Sequence, residues 1–343
     1  MPVLFYFLLI LIVATVVLLP TLVGWGLSFL FRSYMLCHIA VRWTGIAASV
    51  LTAIALAYGF TLGARHIVVS PYRYSHSLIP QAFDGYRIVQ LSDWHLGTFG
   101  KHPEFVSEVV RQVNAQEPDL IVFTGDLVNR ESAEAAQFEE VLGKLKAKDG
   151  VISVMGNHDY MFFAHDKSTR QRLYDVGRLQ SLQRRLGWQL LLNEHILLHR
   201  GADSIAIIGV ENDGDGKHFP QYGNLPKAME GLSPQTFSVL LSHDPTHWRR
   251  KVLEETDIPL QLSGHTHAMQ MKCFGWSPSS WIYPEWYGRY DENTALKADG
   301  WSGASAPHSC KRTLIVSSGI GSVAIPFRLG AWPEVVVITL HRN

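Results

Sequence analysis

Hydrophobic and polar positions divide the chain into two unlike parts. Residues 1–31 carry no charged side chain, and a second uncharged run extends from Trp43 to Ala64. About 20 apolar residues cross the hydrocarbon core of a bilayer, so each run is long enough to span it. We therefore predict a membrane anchor of two transmembrane helices within residues 1–69, followed by a catalytic domain at 84–343.

Each apolar run has an alternative interpretation. The first could be a cleaved signal peptide, but no basic segment precedes it and a second apolar run follows. The second could be a buried helix of a soluble domain, but it lacks a polar stripe. Two spans place both chain ends on one side of the membrane. The few flanking arginines do not decide which side, so the orientation stays open.

From Tyr86 onward, short apolar runs alternate with amphipathic segments. The runs at 87–93, 120–126 and 151–157 predict buried strands, and the segments 103–116 and 131–148 between them have helical periodicity. Another amphipathic segment lies at 169–186. Further apolar runs occupy 204–210, 237–243, 259–264, 313–319 and 334–340. This order predicts an α/β fold in which two packed sheets are covered by helices, a four-layer α/β/β/α sandwich.

Composition excludes several classes of protein. The ten Trp, twelve Tyr and sixteen Phe rule out a disordered chain. Beyond residue 66 there are 27 basic and 30 acidic side chains, which argues against binding nucleic acid by bulk positive charge. Three cysteines are too few for a disulfide framework. Whether Cys273 and Cys310 pair in an oxidising compartment stays open.

Five polar clusters directly follow apolar runs. They are Asp93-Trp94-His95, Gly125-Asp126, Gly156-Asn157-His158-Asp159, His243-Asp244 and Gly264-His265-Thr266-His267. Because strand ends meet at one edge of such a fold, we expect these clusters to share one rim. The glycine that begins three of them is expected to let the backbone turn sharply and approach an ion.

The side chains in these clusters are typical metal ligands. The candidates are Asp93, His95, Asp126, Asn157, His243, His265 and His267. Mixed oxygen and nitrogen ligands favour manganese, iron, zinc or nickel over calcium or magnesium. Seven ligands exceed one tetrahedral site and suit two ions that share a carboxylate, about 3.5–4 Å apart. His265 and His267 would face opposite sides of a regular strand, so the chain must bend there.

Any one cluster alone is better explained as a turn, a helix cap or a partly buried histidine. All five in this order resemble the signature of calcineurin-like metallophosphoesterases: D-x-H, GD, GNH-D/E, H and GH-x-H. The resemblance covers roughly residues 86–340. The tail, with its glycine-rich turn, P-x-R and PE, resembles the membrane-associated bacterial branch of that family. Trp94 departs from the family, which more often has another residue between the first two ligands.

The resemblance implies a role for each matched residue. Asp93, His95, Asp126 and His267 would hold one ion, and Asp126, Asn157, His243 and His265 the other. Of the two catalytic candidates, His158 would stabilise the phosphate or protonate the leaving oxygen, and Asp159 would hold the His158 ring in place. Two divalent ions, with manganese favoured, would generate the attacking hydroxide between them.

The resemblance also implies a substrate class and a location. We expect a phosphodiester or pyrophosphate, such as the lipid-linked UDP-diacylglucosamine cleaved by similar proteins, and a bacterial plasma membrane. Nucleic acid is not the expected partner. One alternative is a nuclease or cyclic-nucleotide phosphodiesterase on the same core, and another is an inactive metal-binding scaffold.

Two other segments invite a functional interpretation. Gly319–Ala324 matches the dinucleotide pattern G-x-G-x-x-A, but Pro326 follows too soon for a helix, so we predict a turn near the site. Phe274–Trp301 is rich in Trp and Tyr. It is either a loop that packs on itself or a lid or platform for a sugar, base or acyl chain, and its position after the GHTH cluster favours the second.

Overall fold

The computed structural model describes residues 3–215, 219–294 and 310–343. The chain divides into two compact units, residues 1–63 and 64–343. The side chain of Cys310 and residues 295–301 of the aromatic segment lie outside the described residues, and Cys273 carries a free thiol.

The first unit consists of two long helices, α1 (Val3–Ser28) and α2 (Met35–Phe60). By length and composition, Leu9–Phe31 and Met35–Arg65 are each able to cross a membrane. A hydrogen bond of 2.7 Å joins the hydroxyls of Thr21 and Ser49 on the two helices. A Cβ on Gly45 would lie 2.6 Å from the Pro20 carbonyl oxygen. Small residues at such a crossing are typical of helices that pack in a membrane.

The second unit contains twelve strands among its described residues. They are β1 Val68–His76, β2 Arg87–Leu91, β3 Leu120–Phe123, β4 Val151–Ser153, β5 Gln189–Leu190, β6 Glu194–Arg200, β7 Asp203–Gly209, β8 Ser238–Leu241, β9 Leu260–Ser263, β10 Gly288–Thr294, β11 Cys310–Val316 and β12 Glu334–Arg342. One six-stranded sheet has the order β1-β12-β2-β3-β4-β5, and the other has the order β10-β11-β9-β8-β7-β6. Strands β2 to β5 run parallel, as do β7, β8, β9 and β11.

Strand β1 begins inside the segment that we assigned to the membrane anchor. It is an edge strand and pairs in parallel with β12. Pro71 cannot donate a backbone hydrogen bond, which an edge strand tolerates. The proline and the polar residues around it conceal this strand in the sequence.

The α-helices among the described residues of the second unit are α3 Glu104–Asn114, α4 Ala133–Ala136, α5 Glu139–Leu142, α6 Thr169–Arg185, α7 Leu225–Ala228 and α8 Leu253–Glu255. The single helix expected over 131–148 is therefore wrong, and two short helices occupy that segment. Phe138 interrupts them with φ −103° and places its side chain in the core. Helix α6 begins with a capping box formed by Ser168 and Gln171.

Three hydrophobic layers hold these elements together, which confirms the predicted α/β/β/α sandwich. Val89 and Phe123 of the first sheet pack under α3 and α6. Their neighbour Ile88 faces Ile207 and Leu262 of the second sheet. The outer face of the second sheet packs against α7 and the segment around Trp248. Successive residues of a strand point to opposite faces of its sheet, so adjacent apolar residues enter different layers and both faces of each sheet are buried.

Candidate metal centre

The candidate ligands lie where β2, β3, β4, β8 and β9 end. Five of the seven adopt a left-handed backbone, which is uncommon for residues other than glycine: Asp93 (φ 53°), His95 (44°), Asp126 (61°), His265 (73°) and His267 (51°). Such conformations cost free energy, and they cluster at functional sites because the surrounding structure enforces them. This backbone turns the side chains inward, and it supplies the bend expected at the GHTH cluster.

One group of ligand atoms forms around Asp93. His267 Nε2 lies 3.3 Å from Asp93 Oδ1 and 3.0 Å from His95 Nε2. His95 Nε2 lies 3.9 Å from Asp93 Oδ1. The backbone N–H of His265 donates to both Asp93 oxygens, at 3.1 and 3.0 Å, and so fixes the carboxylate. Three buried side chains thus direct ligand atoms at a common point.

A second group forms around Asn157. Its Oδ1 lies 3.1 Å from His243 Nε2 and 2.9 Å from His265 Nδ1, and those two nitrogens are 3.3 Å apart. His243 Nδ1 is 2.8 Å from the Thr124 carbonyl. A carbonyl only accepts, so Nδ1 carries a proton and Nε2 is the ring atom that points into the group.

Asp126 joins the two groups. Its Oδ2 lies 3.1 Å from His243 Nε2 and 3.7 Å from His95 Nε2. Its Oδ1 accepts the backbone N–H of His158 at 2.8 Å. One carboxylate oxygen therefore faces imidazoles of both groups, as a bridging ligand requires.

Electrostatics at this point favour bound cations. Burial alone would raise the pKa of Asp93, but the facing His267, His243 and His95 hold it well below its usual range. Burial opposes charge on His243, yet Asp126 raises the pKa of that imidazole to about 10. Asp93 and Asp126 are therefore held as anions, whereas burial lowers the pKa of the His95 and His265 imidazoles.

The distances between neighbouring imidazole nitrogens show whether ions fit between these side chains. Two such nitrogens about 3 Å apart repel each other unless a proton or a cation lies between them. His95 and His267 form one such pair, and His243 and His265 form another. The oxygen and nitrogen atoms present match the preferences of borderline divalent ions, so these residues fit a pair of such ions.

His158 lies beside the cage with one free ring nitrogen. Its Nδ1 donates to the Asn129 carbonyl at 2.7 Å, and its ring stacks edge-on against His95 and lies beside Phe163. Its Nε2 has no hydrogen-bond partner within the described part of the chain. The ring is therefore oriented by a carbonyl.

The ring-holding role expected of Asp159 is wrong. Its Oδ2 accepts the backbone N–H groups of Asp126 (2.8 Å) and Gly156 (3.0 Å), and its Oδ1 accepts that of Leu127 (2.8 Å). The helical turn His158–Tyr160 directs consecutive side chains in different directions. Asp159 is consequently buried beneath the site and holds the Asp126 backbone, while His158 faces outward.

The glycines act differently from the expectation. Only Gly125 of the three has a positive φ, 102°. A Cβ on Gly156 would lie 2.2 Å from Asp126 Oδ1, and one on Gly264 would lie 1.9 Å from Ser92 Oγ and 2.2 Å from Asp93 Oδ2. Gly156 and Gly264 are therefore required for close approach of the backbone rather than for a sharp turn.

Two contacts of the site were not predicted. The Tyr283 hydroxyl lies 3.0 Å from His265 Nε2, and burial with nearby acidic groups raises the pKa of Tyr283 to about 12. The fully buried Arg328 places Nη2 3.2 Å from His267 Nδ1. Tyr283 lies in the aromatic segment and Arg328 in the P-x-R pattern, but neither pattern indicated a contact with His265 or His267.

The Gly319–Ala324 segment is a turn that packs on the first cluster. Backbone N–H groups of Ile320 and Gly321 donate to the carbonyls of Ser92 (3.0 Å) and Asp93 (2.7 Å). A Cβ on Gly321 would lie 2.0 Å from the Trp94 carbonyl oxygen. Trp94 itself is buried in the hydrophobic layer under the first sheet.

A cavity of about 320 Å³ opens beside the candidate ligands. His158, His265, His267 and Gln270 contribute polar groups to it. Asp126, Asn157 and Thr266 also line it, and the rest of the wall is apolar or aromatic, formed by Phe163, Phe219, Met269, Tyr283 and Val323. The cavity can therefore receive a polar group next to an apolar one.

The chain is similar to known proteins over much of its length. Residues 86–269 match the family model described as Calcineurin-like phosphoesterase. YkuE of Bacillus subtilis, an uncharacterized metallophosphoesterase, is 32% identical over 304 residues, covering 86% of this chain and 93% of YkuE. The Bos taurus transmembrane protein with metallophosphoesterase domain is 30% identical, covering 86% of this chain and 62% of that protein. UDP-2,3-diacylglucosamine pyrophosphatase LpxG of Chlamydia trachomatis is 28% identical, and the similarity covers 66% of this chain and 78% of LpxG.

The close approach at Gly264 predicts the effect of one added methyl group. We expect Gly264→Ala to displace Asp93 and to lower the free energy of unfolding by about 1–3 kcal/mol, the usual cost of overpacking. Bound metal, measured by mass spectrometry, should fall with it. Gly177→Ala is the control, because its Cβ meets nothing within 4 Å. It should stabilise α6 by about 0.5–1 kcal/mol. Full metal content in the Gly264 variant would contradict this account.

The contacts of Asp159 predict a structural defect in Asp159→Asn. Asp159 accepts four backbone N–H groups, including that of Val128 at 3.3 Å. An amide cannot accept all four, so a buried donor loses its partner and stability falls by about 1–3 kcal/mol. Thermal unfolding measures this loss. The exposed Asp166→Asn should stay within about 0.5 kcal/mol of the parent. An unchanged unfolding temperature with an altered pH profile of activity would instead support a ring-holding role for Asp159.

Proposed function

The chain belongs to the calcineurin-like phosphoesterase family, and on this premise we propose that it is a membrane-anchored, two-metal phosphohydrolase acting on a phosphodiester or pyrophosphate. The observation that supports this most is the position of Asp126, whose Oδ2 faces imidazoles of both ligand groups. The two apolar helices of the first unit support the anchor.

Seven side chains would hold the two ions, for which manganese is the favoured identity. Asp93, His95, Asp126 and His267 would bind one ion, and Asp126, Asn157, His243 and His265 the other. When bound, two such ions lower the pKa of a water molecule toward neutrality and neutralise phosphate oxygens. The protein contributes by fixing the ligand atoms in advance, through the Asp159 contacts to backbone N–H groups and the N–H donors on Asp93.

His158 would act directly on the phosphoester. Its Nδ1 proton is committed to Asn129, so Nε2 is the atom that faces a bound phosphate. A departing alkoxide or phosphate needs a proton or a nearby positive charge, and an imidazole supplies either near neutral pH. Asp159 takes part only by holding Asp126 and the Gly156–His158 turn.

For the substrate, we propose a lipid-linked phosphoester of the bacterial plasma membrane. Three observations support it: the apolar helices, the apolar walls beside the ligands, and the similarity to a UDP-2,3-diacylglucosamine pyrophosphatase. A lipid-linked nucleotide pyrophosphate has a charged centre next to apolar chains, which matches the two kinds of wall in the cavity. UDP-diacylglucosamine is therefore the first compound to assay.

A nuclease or cyclic-nucleotide phosphodiesterase would use the same core. The excess of acidic over basic side chains beyond residue 66 disfavours a polynucleotide. An inactive scaffold is the non-enzymatic alternative. No turnover of bis-p-nitrophenyl phosphate with any divalent metal would favour that alternative.

Two variants separate metal binding from proton transfer. We expect Asp126→Asn to lose both metal and activity, because the amide removes the shared anionic oxygen. His158→Gln should keep its metal and lower kcat by about 10²–10⁴-fold, the usual contribution of a general acid. Hydrolysis of bis-p-nitrophenyl phosphate with added manganese measures the activity of Asp126→Asn, and hydrolysis of a phosphodiester with an alkoxide leaving group measures that of His158→Gln. Mass spectrometry measures bound metal in both. His102→Gln, an exposed position, is the control and should resemble the parent. Normal activity in Asp126→Asn would overturn the proposal.

A further inference from the structure

An exposed apolar surface adjoins the cavity. We call it the aromatic ridge and define it as Met269, Phe274, Trp276, Trp281 and Ile282. Phe274 is fully exposed, Trp281 is 77% exposed and Ile282 is 61% exposed. Trp276 and Trp281 pack edge to face at 5.2 Å. Large apolar side chains exposed together within one short segment are typical of an interaction site.

The backbone beneath the ridge is firmly held. Ser277 is buried, and its hydroxyl donates to the Ala268 carbonyl at 2.6 Å. The N–H of Tyr283 donates to the Ser279 carbonyl at 2.8 Å, and that of Lys272 donates to Leu329 at 2.8 Å. These bonds anchor the segment at both ends and in the middle. The aromatic side chains are therefore presented outward by an ordered loop.

The composition of the ridge segment suits the interfacial region of a bilayer. Residues 269–282 contain a single charged side chain, Lys272, although 17% of the whole chain is charged. Tryptophan has a large apolar ring with one polar N–H, and it concentrates where hydrocarbon meets lipid headgroups. An acidic group would oppose contact with such a surface, and this segment has none.

The ridge is continuous with the candidate metal centre. Met269 belongs to the ridge and also lines the cavity, only two residues after His267. Tyr283 directly follows Ile282 and contacts His265. A partner surface bound to the ridge would therefore lie next to the cavity.

We propose that the aromatic ridge inserts into the interfacial region of a lipid bilayer. The chain carries two helices able to cross a membrane, so a bilayer is the surface that the ridge would meet. Insertion would place the cavity at the headgroups, where a lipid-linked phosphoester is presented. This last step rests on the proposed function, whereas insertion itself does not.

Cys273 provides a direct test of insertion, because it is exposed and adjoins Phe274. Cys37→Ser and Cys310→Ser leave this thiol for an environment-sensitive fluorophore. The full chain is reconstituted as single copies in nanodiscs of phosphatidylcholine and phosphatidylglycerol, with or without doxyl-labelled lipid. We expect blue-shifted emission that doxyl lipid quenches. In a Cys273→Ser background, a label at the exposed Ser181→Cys on α6 should stay unquenched.

Two results would overturn insertion. One is a label at Cys273 that emits as in water and is quenched no more than the label at position 181. The other is a blue shift confined to discs that hold two copies, which would assign the ridge to contact between chains. Quenching in single-copy discs supports the bilayer.

A matched pair of substrates tests the consequence of insertion. Hexadecyl p-nitrophenyl phosphate partitions into the nanodisc, whereas bis-p-nitrophenyl phosphate stays in solution. The double variant Phe274→Asp with Trp281→Asp should lose about tenfold or more in kcat/KM on the first substrate and little on the second. The control is Leu173→Asp with Tyr174→Asp, since both side chains are 68% exposed elsewhere on the unit.

The outcomes separate the two proposals. Equal loss on both substrates, or no loss on either, would overturn the role of the ridge in substrate access. If the parent chain hydrolyses neither compound with any metal, the proposed function fails. The fluorescence experiment then still decides whether the ridge meets the bilayer.

Discussion

The carboxylate of Asp126 is the point on which the candidate centre depends. It is buried between two groups of imidazoles, and a buried anion is tolerated only if cations or N–H groups satisfy it. The His158 N–H contacts one of its oxygens, His243 the other, and Asp159 holds its backbone from below. Three segments distant in sequence must therefore fold correctly before the two ligand groups share an oxygen. The strained backbone at Asp93, His95 and His265 has hydrogen bonds of its own. The N–H groups of Asp93 and His95 donate to the carbonyls of Gly125 and Asp126, and the N–H of His265 donates to the Asp93 carboxylate.

The local sequence pattern revealed the ligands because each lies two to four residues beyond the end of a buried strand. Parallel strands bring their carboxyl ends to one edge, so the five clusters could be placed together without knowledge of sheet order. Partners distant in the chain, such as Asn129 for His158 and Arg328 for His267, leave no periodic signal. Asp159 was misassigned for a related reason. Adjacency in sequence suggested contact with His158, but a helical turn separates their side chains. Likewise, Pro71 concealed β1, whose position follows only from its pairing with β12.

The centre extends beyond the segment that defines the family. The match ends at residue 269, yet the loop after β11 encloses the first ligand group. Within the part of the chain that the structure describes, Arg328 is buried and forms no ion pair with a carboxylate. Its guanidinium instead donates to carbonyls of Ser318, Gly321 and Ala331. Burial of such a charge is costly unless its donors are all used. Here those donors tie the loop into one conformation. The C-terminal segment therefore completes the wall against which Asp93 and His267 are held.

Anchoring and insertion would solve different physical problems for an enzyme acting at a bilayer. Transmembrane helices would confine the protein to the surface and raise the effective concentration of lipid-linked substrate. Confinement by itself does not turn the cavity toward the bilayer. Orientation requires a second contact on the catalytic unit itself. The ridge has the features for such a contact, since its apolar side chains are fixed by backbone hydrogen bonds and adjoin the cavity through Met269. Fixing the orientation of the cavity in this way lowers the entropy that is lost when substrate binds. The resulting gain in kcat/KM would appear only for substrates held in the bilayer.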